Sequence, residues 1–236
     1  MLIPLEDVRT FSTCPAYYHF ALEQPLVLPT NRRISILQAV VQKMYLHQMG
    51  GTKPEQRKII GWVDKEVFKD IAVDNEEEMA RGLALSESVL RPLRNWYERH
   101  FLKEHTHGYA NLEVEHTSGG HQVTHTVPLV KATEPPTVLM VGDAVQSRFQ
   151  LYNNVLARGS AWLVARKLQE PVVKLEYLYI GPRDHIEVIE LECTEELNSR
   201  AEKMIFQIAD QVAAGVNYPS YTPMCNGCPY RKECIL

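Results

Sequence analysis

The residues with the clearest chemical potential are the cysteines near the end of the chain. Three of the five cysteines, Cys225, Cys228 and Cys234, fall within the last twelve residues. A Cys-x-x-Cys turn lets two thiolates converge on one metal centre, and a third nearby thiolate supplies another ligand. Three reduced thiols without a metal are the alternative, which this spacing disfavours. The pattern therefore predicts a metal site, and spacing alone does not separate zinc from an iron–sulfur cluster.

A fourth ligand has to come from elsewhere in the chain, because structural zinc and iron–sulfur sites both use four. Cys193 ends a predicted strand on the same side as Ile189 and Leu191, which is typical of a buried core cysteine. Cys14 lies at a helix–Cys-Pro–helix junction, from which a ligand can project at a fixed turn. We therefore favour Cys14 as the fourth ligand.

The first hundred residues are predicted to be mainly helical. Leu5 to Phe11 forms a short helix that stops before Cys14, and Pro15 suits the first turn of the next helix. Apolar spacing predicts two more helices, from Leu37 to Tyr45 and from Ile59 to Ile71. Asp74 and Glu77 are spaced as a capping pair, which predicts the start of a further helix that extends to about Phe101. Pro92 is expected to kink this helix.

The middle of the chain alternates strands with one helix. Short β-prone runs between turn residues predict five strands: Asn111–His116, Gln122–Val130, Thr137–Val141, Val172–Ile180 and Ile186–Cys193. Ser147–Leu168 is predicted to be a continuous helix between the third and fourth strands. Thr194 caps a last helix, which stops at Gly215.

The order of elements predicts an α/β fold. A helix before a three-strand meander and a crossover helix after it give a mixed sheet flanked by helices. We expect a single domain over 1–236, with a helical N-terminal lobe at 1–104, the α/β core at 105–193, and a last helix with the cysteine tail at 194–236.

Together these motifs are similar to those of a known family. Cys14-Pro15-Ala16-Tyr17-Tyr18, followed far downstream by the C-x2-C-x5-C tail, resembles the Cas4/RecB-like iron–sulfur nucleases of the AddB and Dna2 type. The predicted order of elements also fits the PD-(D/E)xK nuclease core, so the resemblance covers nearly the whole chain. It implies a [4Fe–4S] cluster, with zinc as the alternative, on Cys14, Cys225, Cys228 and Cys234. Such a cluster would clip the two chain ends together.

The same resemblance implies a metal-dependent nuclease centre, yet the expected residues are missing. Gln42 occupies the place of a helical His, and no Asp lies within Val127–Val130. The strand expected to carry Asp/Glu-x-Lys, Val138–Val141, is wholly apolar. A shifted register that uses Lys131 keeps the lysine but lacks the carboxylate. Arg148 replaces the Gln of the helix motif that ends at Tyr152. We therefore expect a relative that does not cleave nucleic acid.

Displaced carboxylates are the alternative that keeps an active nuclease. Glu113 and Glu115 alternate on one strand face, and Asp143 follows Gly142. We interpret the two glutamates as an exposed strand face and Asp143 as a turn or capping residue. His116, His121 and His125 lie nearby and are interpreted as polar surface residues rather than metal ligands.

Composition and charge exclude several classes of protein. The chain of 236 residues is 45% hydrophobic and carries a net charge of −4, which disfavours a protein that coats nucleic acid indiscriminately. No apolar run approaches a membrane span and no signal peptide is visible, so we expect a cytoplasmic location and no membrane partner.

One predicted helix departs from the acidic balance of the chain. Ser147–Leu168 contains four basic residues and no acidic ones: Arg148, Arg158, Arg166 and Lys167. These residues are candidates for contact with nucleic-acid phosphates, and a solvated helix face is the alternative. Tyr230, Arg231 and Lys232 are further candidates, for stacking on or pairing with a single strand.

Three functions remain open on the sequence. The first is a non-catalytic [4Fe–4S] protein that binds single-stranded or end-containing DNA, or supports a nucleic-acid-processing complex. The second is an active Mg²⁺- or Mn²⁺-dependent single-strand DNA exonuclease with displaced carboxylates. The third is a purely structural subunit whose metal-stapled fold serves as a protein-docking surface.

Overall fold

A computed structural model describes residues 1–23, 32–69, 71, 75–103, 107–142, 145–181, 185–220, 223–232 and 234. The chain begins with a short strand, β1 (Leu2–Pro4), and two short helices, α1 (Leu5–Thr13) and α2 (Pro15–Glu23). Three longer helices follow: α3 (Arg32–Met49), α4 (Gln56–Phe68) and α5 (Glu76–Arg99). A 3₁₀ turn, Phe101–Lys103, then leads towards the sheet.

The start of α5 shows which residue caps it. The Asn75 side chain accepts hydrogen bonds from the backbone N–H groups of Glu77 and Glu78, which satisfies two otherwise unpaired donors. Asp74, the predicted cap, lies outside the described residues. Pro92 lies buried within the continuous helix.

Six strands form one mixed sheet. The remaining strands are β2 (Gly108–Ser118), β3 (His121–Lys131), β4 (Thr137–Gly142), β5 (Val173–Ile180) and β6 (Ile186–Cys193). β3 is the central element, because it pairs antiparallel with β2 and β4 and parallel with β1. β4 and β5 are parallel, and β5 and β6 are antiparallel. The predicted mixed α/β fold and its five strands are confirmed, and β1 is an addition that the sequence did not predict.

The prediction of one continuous helix over Ser147–Leu168 was wrong. The structure has two helices, α6 (Arg148–Tyr152) and α7 (Val155–Leu168). Ser147 and Gln150 form a capping box that starts α6, and the Asn154 side chain caps α7 by accepting from the Ala157 N–H. The last helix, α8 (Glu195–Ala213), begins at Thr194 as predicted, and Gly215 takes the positive φ that follows its end.

Helices cover the sheet with two hydrophobic cores. The first core joins the sheet to α1, α7 and α8, with Trp162 and Leu5 among its buried side chains. The second joins it to α3, α4 and α5, around Tyr45 and Trp96. Of the N-terminal helices, α1 thus packs with α7 and α8, while α3 to α5 form their own core.

A buried ion pair lies in the second core. Lys131 Nζ lies 2.9 Å from Glu176 Oε2 and 5.2 Å from the centre of the Tyr45 ring, with both charged side chains largely buried. Lys131 is thus engaged inside the protein, between the sheet and α3. Among the described residues, no helix combines the length and apolar character that a bilayer crossing requires.

Candidate functional site

The structure brings four of the five cysteines to one place. Cys14, Cys225, Cys228 and Cys234 line a single small cavity, which we call the cysteine cavity. Burial raises the pKa of the Cys234 thiol, and the neighbouring Cys14, Cys228 and Cys225 raise it further. These are the four residues that the sequence analysis selected as ligands.

Backbone contacts position the two chain ends at this cavity. The Ala16 N–H donates to the Tyr218 carbonyl at 3.2 Å, and the His19 ring lies 3.0 Å from the Val216 carbonyl. The Cys14 sulfur accepts from the Tyr17 N–H at 3.5 Å, a bond of the kind that supports a ligand thiolate. The N-terminal helices and the tail thus meet through contacts that need no metal.

The donor set at the cysteine cavity fits an iron–sulfur cluster or a zinc ion, since both bind four thiolates. The described residues nevertheless contain no group of three or more His, Cys, Asp or Glu side chains that could hold a metal ion as they stand. The cavity is small, and Tyr17, Phe20 and Tyr230 line it beside the four cysteines. The tail around Cys225 is a 3₁₀ segment, Pro223–Gly227, rather than part of the sheet.

Cys193 lies apart from the other four cysteines. Its side chain is 1% exposed in the first hydrophobic core, among Trp162 and Ile189. Burial raises its pKa from 9.0 to about 11, so the thiol stays protonated at neutral pH.

The residues that replace the expected nuclease centre bond to one another. Gln42 Nε2 on α3 donates to the Pro128 carbonyl at 3.1 Å and to Asn111 Oδ1 at 2.7 Å. Asn111 lies on β2 opposite Pro128 and has a φ of 50°. Pro128 has no N–H to donate, so the β2–β3 ladder is interrupted here. Gln42 therefore supports an irregular point in the sheet, where the resembled nucleases would place a His and an Asp.

The neighbouring strand offers no carboxylate either. Val138–Val141 on β4 lines an apolar cavity beside α3, and Gln38 Nε2 donates to the Val141 carbonyl at 2.9 Å. We call this the α3 cavity; it also includes Val127–Leu129 of β3, Leu156 of α7 and, at its edge, Glu6.

The alternative carboxylates lie elsewhere. Glu113 and Glu115 are exposed on β2 and line a second cavity, together with His125 and Lys167, among others. Glu115 accepts a hydrogen bond from Gln122 at 2.9 Å. Asp143 lies outside the described residues. The structure therefore places the two glutamates on an exposed strand face.

The three histidines of the β2–β3 hairpin each meet a carboxylate from a helix. His125 lies 2.8 Å from Glu6 of α1, His121 lies 2.9 Å from Asp210 of α8, and His116 lies 3.4 Å from Glu202 of α8. The interpretation of these histidines as exposed surface residues was wrong, most clearly for His121 and His125, whose side chains are 12% and 7% exposed. The pairs were not predicted, because the partners are more than 80 residues away in sequence. They join the hairpin to the helices that cover it.

The predicted basic residues do not share one surface environment. Arg158 is 8% exposed, donates to the Leu197 carbonyl and lies 4.9 Å from the centre of the Tyr152 ring. Arg166 pairs with Glu202. Arg148, on the separate helix α6, and Lys167, at the end of α7, are exposed. Burial of Arg158 leaves it unable to reach a phosphate without opening the core.

The aromatic residue between the last two cysteines is also internal. Tyr230 is 3% exposed. Its ring stacks on Phe20, with 5.5 Å between the ring centres, and makes an edge-to-face contact with Tyr17, with 5.4 Å between the ring centres. It therefore packs the tail onto α2 and presents no face to a nucleobase. Arg231 and Lys232 beside it are exposed.

Comparison with known proteins supports the fold. No protein-family model and no curated protein matches the sequence. The chain is similar to the crystal structure of a protein provisionally described as an exonuclease from Eubacterium rectale, with a TM-score of 0.56 and 10% identity over 100% of this chain and 89% of that one. The crystal structure of SSO0001 matches with a TM-score of 0.45 and 13% identity, over 99% of this chain and 85% of that one. The first likeness shows a nuclease-like fold.

The buried thiol of Cys193 generates a pH prediction. Because the unfolded chain ionises this thiol above its ordinary pKa of 9.0 while the native pKa is about 11, the free energy of unfolding falls between those pH values. Ionisation of this one residue lowers the free energy of unfolding by about 1–2 kcal/mol at pH 10. Anaerobic urea unfolding at pH 8 and pH 10 measures it, and Cys193→Ala is expected to lose less stability over that interval than the unmodified chain. Equal losses in the two proteins would show that burial does not hold this thiol protonated.

Proposed function

We propose that this chain is a non-catalytic protein of nuclease-like fold, Cas4/RecB-like in its metal site, that binds nucleic acid or supports a nucleic-acid-processing complex. One observation supports the proposed absence of catalysis. The hydrogen bond from Gln42 to the Pro128 carbonyl occupies the point where the resembled nucleases gather metal-binding side chains. The structural likeness to the Eubacterium rectale protein, described as an exonuclease, supports a nucleic-acid partner.

The proposed cofactor is a [4Fe–4S] cluster held by Cys14, Cys225, Cys228 and Cys234. Convergence of these four cysteines on one cavity supports the assignment, as does the isolation of Cys193 in the core. When bound, the cluster would join the two chain ends, so that its binding energy adds to folding. Tyr17, Phe20 and Tyr230 pack around the same cavity and would limit access of solvent to it.

The proposed absence of catalysis has an electrostatic reason. Cleavage of a phosphodiester by a bound Mg²⁺ requires carboxylates that hold the ion near the phosphate and offset the charge that develops there. The described residues of the α3 cavity include a single carboxylate, Glu6, which lies 2.8 Å from His125. The exposed Glu113 and Glu115 provide no comparable enclosure.

The proposed nucleic-acid contact uses the basic side chains that remain exposed. Arg148 and Lys167 belong to the predicted basic segment, and Arg231 and Lys232 adjoin the cysteine cavity. Arg158 is excluded from this set by its burial, and Arg166 is partly neutralised by Glu202. Contacts of this kind recognise phosphates and carry no sequence preference.

The cluster is tested by metal analysis of anaerobically purified protein. We expect about four irons and four sulfides per chain. Cys14→Ser is expected to lose the cluster and lower the unfolding temperature, whereas the matched variant Cys193→Ser keeps the full iron content. One zinc per chain without sulfide would overturn the cluster assignment.

The absence of catalysis is tested with single-stranded and end-containing DNA in Mg²⁺ or Mn²⁺. We expect no cleavage above the buffer control, because the described residues of the α3 cavity include only one carboxylate, Glu6. Glu113→Ala, Glu115→Ala and Asp143→Ala are prepared in parallel. Metal-dependent cleavage that any of these variants abolishes would show that displaced carboxylates keep the protein active.

Nucleic-acid binding is tested by titrating single-stranded DNA at several salt concentrations. Each phosphate contact adds roughly 0.7 to the slope of log affinity against log salt. The double variants Arg148→Glu with Lys167→Glu, and Arg231→Glu with Lys232→Glu, are expected to reduce the affinity by about tenfold or more and to lower that slope. Lys65→Glu with Lys203→Glu, which makes the same charge change at other exposed positions, is the matched control. Absence of binding at low salt would favour the protein-docking function.

A further inference from the structure

The α3 cavity is a mainly apolar recess at the expected nuclease centre. It encloses about 450 Å³, within the roughly 300–1,000 Å³ range of small-molecule sites. Its walls are the apolar strand segments Val127–Leu129 and Val138–Val141, together with Ala39 and Leu156. A cavity of this size and lining can hold the hydrocarbon part of a ligand.

The cavity is lined by both acceptors and donors, because its polar lining includes Ser35, Thr126 and His125 besides Glu6, Gln38, Gln42 and Ser160. Gln42 donates both of its amide hydrogens, to Asn111 and to the Pro128 carbonyl, and Gln38 donates to the Val141 carbonyl. Ser160 donates its hydroxyl hydrogen to the Leu156 carbonyl at 2.7 Å. The amide oxygens of Gln38 and Gln42 and the second amide hydrogen of Gln38 thus remain for a ligand.

The charged groups of the cavity are few. Its described lining contains no Lys and no Arg, its one carboxylate is Glu6, and His125, the partner of Glu6, lines it too. A hydrogen bond from His125 lowers the pKa of Glu6, which therefore stays ionised at neutral pH. The Glu6 side chain is about half exposed, at 51%, so its carboxylate remains accessible beside the 7% exposed His125.

We infer that the α3 cavity binds a small amphipathic amine, with the hydrocarbon part against β3 and β4 and the ammonium group at Glu6. A phosphate or carboxylate would meet the like charge of Glu6 and the amide oxygens of Gln38 and Gln42. An ammonium group supplies donors and a positive charge to the same atoms. The resemblance implies a phosphodiester at this position, and the inferred ligand carries the opposite charge.

A ligand series of constant chain length tests this inference. Hexylamine, hexanol, hexanoate and hexyl phosphate are titrated into the purified full-length chain and followed by calorimetry and by NMR of the Met140 methyl group, which lines the cavity. We expect the amine to bind with a Kd of about 1–10 mM, as the efficiency of small ligands allows. Hexanol is expected to bind more weakly, and the two anions at least tenfold more weakly than the amine.

Substitutions separate the charge contribution from the apolar one. Glu6→Gln is expected to weaken hexylamine about fivefold, as for an ion pair to a half-exposed carboxylate. Hexanol binding is expected to stay within about twofold, because it makes no ion pair with Glu6. Ala39→Phe, which fills the cavity, weakens both ligands. Glu113→Gln is the matched control, because Glu113 lines the neighbouring cavity and not this one.

Two outcomes would overturn the inference: anions that bind as tightly as the amine, or a Glu6→Gln variant that binds the amine unchanged. Failure of all four ligands to bind would do the same. Iron content and DNA affinity are measured on the same samples, so this result stands apart from the proposed function. The inference concerns α3, β3 and β4 and does not require the cluster.

Discussion

The N-terminal segment is the constraint on which the rest of the fold depends. β1 pairs with the central strand β3, and α1, in which Val8 and Phe11 are buried, packs against α7 and α8. α2 then meets the tail through Ala16 and Tyr218. These few elements tie the middle and the end of the chain to its beginning. Closing a loop of roughly 200 residues costs chain entropy, which many small apolar and backbone contacts have to offset.

This arrangement explains why Cys14 meets the tail. The residue follows directly after α1, whose packing against α7 and α8 fixes the direction in which the Cys-Pro junction leaves the core. Tyr230 returns the tail to the same place by packing between Tyr17 and Phe20. A metal at the cysteine cavity would therefore reinforce a closure that protein contacts already make.

Much of the fold can be predicted from local sequence patterns, whereas the elements that were missed depend mainly on tertiary contacts. The five long strands and the start of α8 at Thr194 are visible as apolar alternation and capping residues. β1 has only three residues, too few for a period to appear, and exists because β3 offers a free edge. The break between α6 and α7 had a local signal, since Asn153 and Asn154 compete with helical hydrogen bonds.

The candidate sites show the same division. Cysteine spacing selected Cys225, Cys228 and Cys234, whereas the Cys-Pro junction and the family resemblance selected Cys14, and these four residues line one cavity. Charge alone misplaced Arg158, which lies in a run of small and apolar residues, Ala157–Ala165, that is buried throughout. That run, rather than the charge, was the signal of an interior helix. The Glu6–His125 pair had no signal in sequence, because tertiary packing alone brings these residues together.

The helix α1 also connects the two candidate sites physically. Glu6 at its start lines the α3 cavity, and Cys14 directly after its end lines the cysteine cavity. The helix separates them by about 12 Å, at 1.5 Å per residue. Since Val8 and Phe11 are buried between these ends, α1 moves as a rigid, packed unit or not at all. The geometry of the acidic edge of the α3 cavity and the position of the first cysteine are therefore set by the same packing contacts.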